Sequence, residues 1–337
     1  MSRSSFRILI SLLAVLALAV FAAACGDDEA EGASTGAATT APAESGDIPA
    51  DEKSANKIAP VDGASNVSLT VGSKNFTEQY VLGEIYAQAL KAAGYQIKTD
   101  LKLGSEVIAY KALRQGEIDA YPEYTGTALT SFFEVKTKDV PPEADAAYEL
   151  AKEKYKAAGI TALARTPFEN TFIIASTKET AEAAGNPKTV SELFAKNPDL
   201  SISGFPECRQ RQDCLLGLRD TYGYKGKFVS SEGKFSDLDS GQSKLTLAFS
   251  TDPQLALKDK YAAYEDDKKF FPPYNITLGL KDAMVDKLGP ETIETIERIQ
   301  AGLTEEAMRE LNRRVELDKQ KPKAVAKAYL SESGFVE

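Results

Sequence analysis

Two stretches of this chain follow one order. In "LRQGEIDAYPEYTGT" and "LDSGQSKLTLAFSTD" a helix end runs into Gly116 or Gly241, seven residues follow, and an aromatic residue comes next. Tyr124 falls on Phe249 and Thr125 on Ser250. This repeat constrains the fold more than any other feature, because it predicts two equivalent strands, each ending on a ring. In open α/β sheets ligands sit at the carboxyl ends of strands, so two lobes would each present an aromatic residue to a shared cleft.

The surrounding pattern agrees. "SLTVGSK" and "YQIKTDLKL" have strand character, and between them a helix is predicted to about Ala93, with Leu82, Ile85, Tyr86, Ala89, Leu90 and Ala93 on one face and Gly94 as its stop. Asn75 and Glu78 have the spacing of a capping box, as do Thr189 and Glu192. "SEVIAYKALRQG" is a second helix and "EIDAYPEY" a third strand. A βαβαβ unit of this kind predicts a parallel sheet with helices on both faces. "TFIIAS", "LSISGF" and "KLTLAFS" continue the alternation, and "YNITLGL" has the character of a return strand. From about Pro290 the chain is helical and heavily charged, the pattern of a solvated face.

The N-terminal residues have the composition of an export signal. Arg3 and Arg7 precede an apolar run from Ile8 to Ala24, and small residues lead to Cys25. The expectation is a signal peptide over 1–24 and a lipid-bearing Cys25; the competing reading is a plain secretory signal with an incidental cysteine. Residues 25–66 are rich in small and acidic residues and lack aromatics, so they are expected to form a disordered tether. The location implied is extracytoplasmic, anchored to the cell membrane through lipid.

Composition removes several kinds of chemistry. The net charge of −10 argues against a nucleic-acid partner. The absence of histidine removes the Ser-His-Asp triad and the commonest metal ligand. No metal or cofactor is expected. In an exported chain, Cys208 and Cys214 predict a disulfide closing a short loop; free thiols or metal ligands are the alternative. Glu117, Asp119 and Glu123 crowd one strand and its entrance, which suits surface charge or hinge salt bridges better than a pair of catalytic carboxylates facing a sugar. Phe132, Phe133, Phe194, Phe270 and Phe271 suit packing, and Tyr121 is a possible extra member of an aromatic site.

The segment "GSKNFTEQYVLGEIYAQAL", followed by "ALRQGEIDAYPEYTGT", resembles the solute-binding proteins of ABC importers for quaternary ammonium compounds such as glycine betaine, choline and carnitine. The likeness continues through "FENTFIIAS", "PECRQRQDC", "AFSTD" and "DDKKFFPPY". It implies an α/β fold of two lobes, of the type II periplasmic-binding-protein kind, hinged by two crossing segments. Lobe 1 would hold residues 67–169 and 275–337, and lobe 2 residues 170–274. The resemblance implies a cation box of Tyr124, Phe172, Phe249 and Tyr274 with Asn170 beside it; Phe172 and Phe249 stand where relatives often carry tyrosine. It also implies that Lys74, Thr127 and Arg211 meet the ligand's carboxylate, with Thr127 opening a helix after "YTGT". A quaternary ammonium cannot donate an N–H hydrogen bond, and ring faces attract it through their quadrupole.

The function so implied is capture of glycine betaine or a related osmoprotectant outside the membrane, and delivery to permease subunits by a monomer that does no chemistry. The alternatives are a receptor selective for choline or another cationic amine, and an extracellular hydrolase.

Overall fold

A computed structural model describes residues 56–337. Strand β1 (Ser68–Gly72) buries Leu69 and Val71 completely. It pairs in parallel with β2 (Gln96–Asp100) and β3 (Ala120–Tyr124). The helix Thr77–Ala92 between β1 and β2 buries Leu82, Ile85, Tyr86, Ala89 and Leu90, the face its periodicity predicts. The helix Glu106–Gln115 stops at Gly116, whose φ of 78° is left-handed and suits glycine.

Return strand β10 (Ile276–Lys281) runs antiparallel to β3, and β4 (Ile160–Ala162) runs antiparallel to β10. The first sheet has the order β2-β1-β3-β10-β4. It is mixed rather than parallel, because β10 enters from the opposite end. The second sheet has the order β7-β6-β8-β5-β9. Its strands are β5 (Phe172–Thr177), β6 (Ile202–Gly204), β7 (Phe228–Ser230), β8 (Leu245–Phe249) and β9 (Tyr261–Tyr264). β8 is parallel to β6 and antiparallel to β5, as β3 is parallel to β1 and antiparallel to β10. The sequence repeat is thus a topological equivalence.

Between the sheets two segments run side by side. Asn170 N–H donates to Tyr274 O at 3.1 Å, and Glu169 bridges Asn275.

Three expectations need correction. The C-terminal helices Asp282–Ala301, Glu305–Glu316 and Pro322–Glu332 are charged outside, yet Met308, Leu311, Val325, Tyr329 and Leu330 are buried, and the last two helices pack on the helix Thr77–Ala92. Residues 56–66, assigned to the tether by composition, are packed. Ile58 N–H donates to Phe335 O at 3.0 Å, and Ala64 is buried. A few apolar residues suffice where a ready-made surface receives them. Asn75 and Glu78 form no capping box; Phe76 occupies the N-cap position without a side-chain bond. The second box is half right. Thr189 caps the N–H of Glu192 at 3.1 Å, while Glu192 accepts from Lys188 N–H at 2.7 Å. The signal peptide, Cys25 and the tether up to residue 55 lie outside the described residues.

Candidate functional site

The ends of β3 and β8 carry the same small unit. Tyr124 N–H donates to Glu123 Oε1 at 2.8 Å, and Glu123 forms a buried ion pair with Lys74. Lys74 Nζ lies 4.4 Å from the Tyr124 ring centroid. In the second sheet, Phe249 N–H donates to Asp252 Oδ2 at 2.9 Å, and Asp252 pairs with Lys234. Lys234 Nζ lies 5.3 Å from the Phe249 ring centroid. Each strand thus ends in a ring, a carboxylate that fixes its backbone, and a lysine held over its face.

Further rings join these two. Phe172 faces Phe249 across the β5–β8 register, with centroids 5.3 Å apart, and Tyr274 meets Phe172 edge-on at 5.4 Å. Phe76, just before the helix Thr77–Ala92, stacks at 6.2 Å from both Tyr124 and Phe249. Phe205 stacks on Phe172 at 6.0 Å. Gly126 lets the crossing segment approach, since a Cβ there would sit 2.7 Å from Pro273 O and 2.8 Å from the Tyr274 ring. These rings line one cavity of about 620 Å³ together with Lys74, Thr127, Asn170, Arg211 and Lys234. Six carboxylates and four cationic side chains line it, so its charge balance favours a cation.

Glu78 is the most connected of those carboxylates. It accepts from Tyr124 Oη at 2.8 Å, Asn170 Nδ2 at 2.8 Å, Thr251 Oγ1 at 2.6 Å and Asn312 Nδ2 at 2.9 Å. Its four donors come from the end of β3, a crossing segment, the turn after β8 and a C-terminal helix. Burial pushes the Glu78 carboxyl above its ordinary range, and the donors recover only part of that shift.

Arg211 is also fully engaged. Its Nε donates to Asp213 at 2.8 Å and its Nη2 makes a second bond to the same carboxylate. Nη1 reaches Glu106 at 3.3 Å and Nη2 reaches Thr127 Oγ1 at 3.5 Å. Asp213 also accepts from Tyr274 Oη at 2.7 Å and Thr130 Oγ1 at 3.0 Å. Burial works against the Asp213 charge, but Arg211 outweighs it and holds the carboxyl below its ordinary value. Cys208 and Cys214 form a disulfide with Cα atoms 5.3 Å apart, and Arg211 lies inside the closed loop.

Every candidate box and clamp residue therefore lines the cavity: Tyr124, Phe172, Phe249, Tyr274 and Asn170, and Lys74, Thr127 and Arg211. The clamp differs from expectation in two respects: Lys74 and Arg211 already hold carboxylates of the chain itself, and Thr127 does not start a helix. The helix after β3 begins at Thr125, so Thr127 lies within it rather than opening it. Tyr121 is fully buried in a separate core and bonds Glu123 at 3.1 Å. Phe132 and Phe133 pack on Tyr110. Glu123 is not surface charge; its carboxylate is wholly buried. Glu78, Phe76, Phe205, Lys234 and Asp252 went unrecognised. The first two stand inside "KNFTEQ", the most distinctive motif of the chain.

The family described as the substrate binding domain of ABC-type glycine betaine transport systems matches residues 67–332. The glycine-betaine-binding protein of Pseudomonas aeruginosa is 30% identical, over 80% of this chain and 89% of its own length. A Helicobacter pylori protein, the ergothioneine transport permease/ergothioneine binding protein EgtU, is 28% identical over 82% of this chain, which spans only 50% of that relative. Among solved structures, a glycine betaine/carnitine/choline ABC transporter structure aligns with a TM-score of 0.63 at 22% identity, covering 78% of this chain and 98% of that one. Apo YehZ from Escherichia coli aligns with a TM-score of 0.59 at 24% identity, covering 80% of this chain and 98% of that one. These two likenesses show a shared fold.

Proposed function

This chain belongs to the family of substrate binding domains of ABC-type glycine betaine transport systems, and from that premise we propose that it holds the quaternary ammonium group of a betaine against the rings Tyr124, Phe172, Phe249 and Tyr274. Phe76 and Phe205 extend that wall. The observation that carries the proposal is a set of stacked rings, drawn from both sheets, around one cavity that also holds buried Glu78. A trimethylammonium group is a diffuse cation with an apolar coat. Ring faces suit it, at roughly 0.5–2 kcal/mol per contact, and Glu78 supplies a fixed negative charge nearby. Asn170 positions that charge through its bond to Glu78.

The lobes in this proposal are residues 67–169 with 275–337, and residues 170–274, hinged where Asn170 runs beside Tyr274. A ligand touching both sheets favours the closed arrangement. The chain acts outside the membrane as a monomer, passes its ligand unaltered to permease subunits, and is tethered through lipid on Cys25. A Cys25→Ser variant recovered in the membrane fraction would end the tether idea.

A second reading is favoured by cavity size. A volume of about 620 Å³ lies within the roughly 300–1,000 Å³ range of drug-sized ligands. It leaves room for a betaine larger than glycine betaine, such as the ergothioneine named for the Helicobacter relative. Titration calorimetry with glycine betaine, carnitine, choline and ergothioneine tests both readings. Binding of at least one of them is expected, with the ligand recovered unchanged and glycine, which lacks the methyl groups, binding far more weakly. No binding by any of the four sinks the proposal.

A further inference from the structure

We propose that Asn312 is a positioning residue for the ring box: it spans the two sheets and sets how far Phe249 stands from Tyr124. This rests on the reading of the cavity as a betaine site and concerns the frame of that site rather than its contacts with the ligand. The helix Glu305–Glu316 packs on the helix Thr77–Ala92, which joins β1 to β2. Its other side reaches the turn that follows β8. Arg309 Nη2 donates to Ser250 O at 3.1 Å, Asn312 Nδ2 donates to Thr251 O at 3.2 Å, and Glu316 Oε2 accepts from Gln254 Nε2 at 3.1 Å. Residues 309, 312 and 316 follow the spacing of one helix face. One stripe of a helix carried by the first sheet thus grips the stretch that leaves the second.

Asn312 is the member of that stripe that also reaches the box. The same Nδ2 donates to Glu78 Oε2 at 2.9 Å, and Thr251 Oγ1 donates to that oxygen at 2.6 Å. Glu78 stands two residues after Phe76 and holds the Tyr124 hydroxyl and the Asn170 amide. Thr251 stands two residues after Phe249. One amide group therefore links the anchors of rings in both sheets. The turn has a second attachment on its far side, where Ser250 N–H donates to Thr171 O at 2.9 Å and Ser250 Oγ donates to Glu169 O at 3.0 Å. Held from the crossing segment and from the helix, the turn cannot shift without moving Phe249. Asn312 is 3% exposed, and its Oδ1 has no partner among the described residues. A buried acceptor left unpaired costs about 1–3 kcal/mol. An apolar side chain of that size would avoid the cost, so what the asparagine contributes is its two N–H bonds.

Glycine betaine and choline test this together, because they share the trimethylammonium head that the box would hold. The full-length protein, in detergent, is titrated with both, alongside Asn312→Ala, Asn312→Leu and Arg309→Ala. Asn312→Leu keeps the bulk and removes both N–H bonds. The two Asn312 variants should weaken both ligands alike, by roughly tenfold, because a displaced box is felt at the shared head. Arg309→Ala cuts the bond to Ser250 and an exposed pair with Glu305. It should weaken both ligands alike by a smaller factor, and Arg309→Lys should recover the loss. Without ligand, amide hydrogen exchange over residues 249–254 should quicken in the three variants that lose a bond. A lower melting temperature with unchanged affinity would make Asn312 purely structural and overturn the assignment. A loss confined to one ligand, or unchanged exchange at the turn, overturns it as well. Should an Asn312 variant not fold, Arg309→Ala and Arg309→Lys decide by the same criteria. Natural protein that binds neither compound overturns the betaine reading, and the positioning role with it; natural protein and variants that bind equally well overturn the positioning role alone.

Discussion

The ends of β3 and β8 are built alike, but only one is sealed. Tyr124 and Phe249 each close a strand, each donate a backbone N–H to a carboxylate, and each lie beneath a lysine. In the first sheet the carboxylate belongs to the strand itself, at Glu123, one residue before the ring, and nothing of it reaches solvent. In the second it is Asp252, three residues beyond the ring, and Lys234 retains exposed surface. The first unit is a fixed wall and the second an open one. Duplicated topology thus supplies two equivalent positions that differ in how far the lysine of each reaches solvent.

The largest expected effect comes from breaking the sealed unit. Glu123→Gln leaves Lys74 buried without a counter-charge and should cost about 3–5 kcal/mol of stability. Asp252→Asn should cost less, about 1–3 kcal/mol, because water can reach Lys234. Urea denaturation of both variants measures the contrast, and equal losses would mean that the two units are equally sealed.

The acids around the cavity should also titrate with opposite signs. Asp213 lies below its ordinary carboxyl value of 3.8. Its stabilisation is complete above that value and is lost as pH falls through its lower folded-state value. Asp213→Asn should therefore melt well below the natural protein at neutral pH, with the gap closing in acid. Glu78 lies above its ordinary value of 4.5. Its contribution is full below that value and is lost as pH rises through its higher folded-state value, so Glu78→Gln should gain on the natural protein as pH climbs. Melting curves across pH that moved the same way for both variants would contradict this account.

The smallest effects separate the two rings. Tyr124→Phe strips Glu78 of one donor and should cost about 1.5 kcal/mol of stability. Phe249→Tyr keeps the ring face that a cation would meet, so ligand affinity should change by less than about 1 kcal/mol. A larger loss from Phe249→Tyr would show that the missing hydroxyl, rather than the ring face, sets the fit.

Local pattern made much of this legible. Tyr124 and Phe249 could be paired from sequence because a glycine helix stop and a strand of fixed length precede both. Phe172, Tyr274 and Asn170 came from motif resemblance and line the cavity beside them. Glu78 could not be read so, although its motif was plain. Its spacing from Asn75 imitates a capping box, and three of its four actual donors lie beyond residue 169. Arg211 lines the cavity, and its pairing with Asp213 and Glu106 was not legible because the arginine meets them only after folding. Lys234 gave no sign in sequence, since its partner Asp252 lies eighteen residues away. The mixed sheet was missed for a related reason, as pairing with a strand so late in the chain leaves no local trace.

The arrangement of β10 also sets an order in time. Every strand of the second sheet lies between Phe172 and Tyr264, in one unbroken stretch of chain. The first sheet begins at Ser68 and stays without the neighbour that joins β3 to β4 until Ile276 has been made. Its packing then waits further, for Val325, Tyr329 and Leu330 to cover the helix Thr77–Ala92. Closing so long a loop carries an entropic cost that local pairing avoids. The half of the molecule that is synthesised first is therefore the half that is completed last, and a chain cut short of its final helix would lose its beginning before its middle.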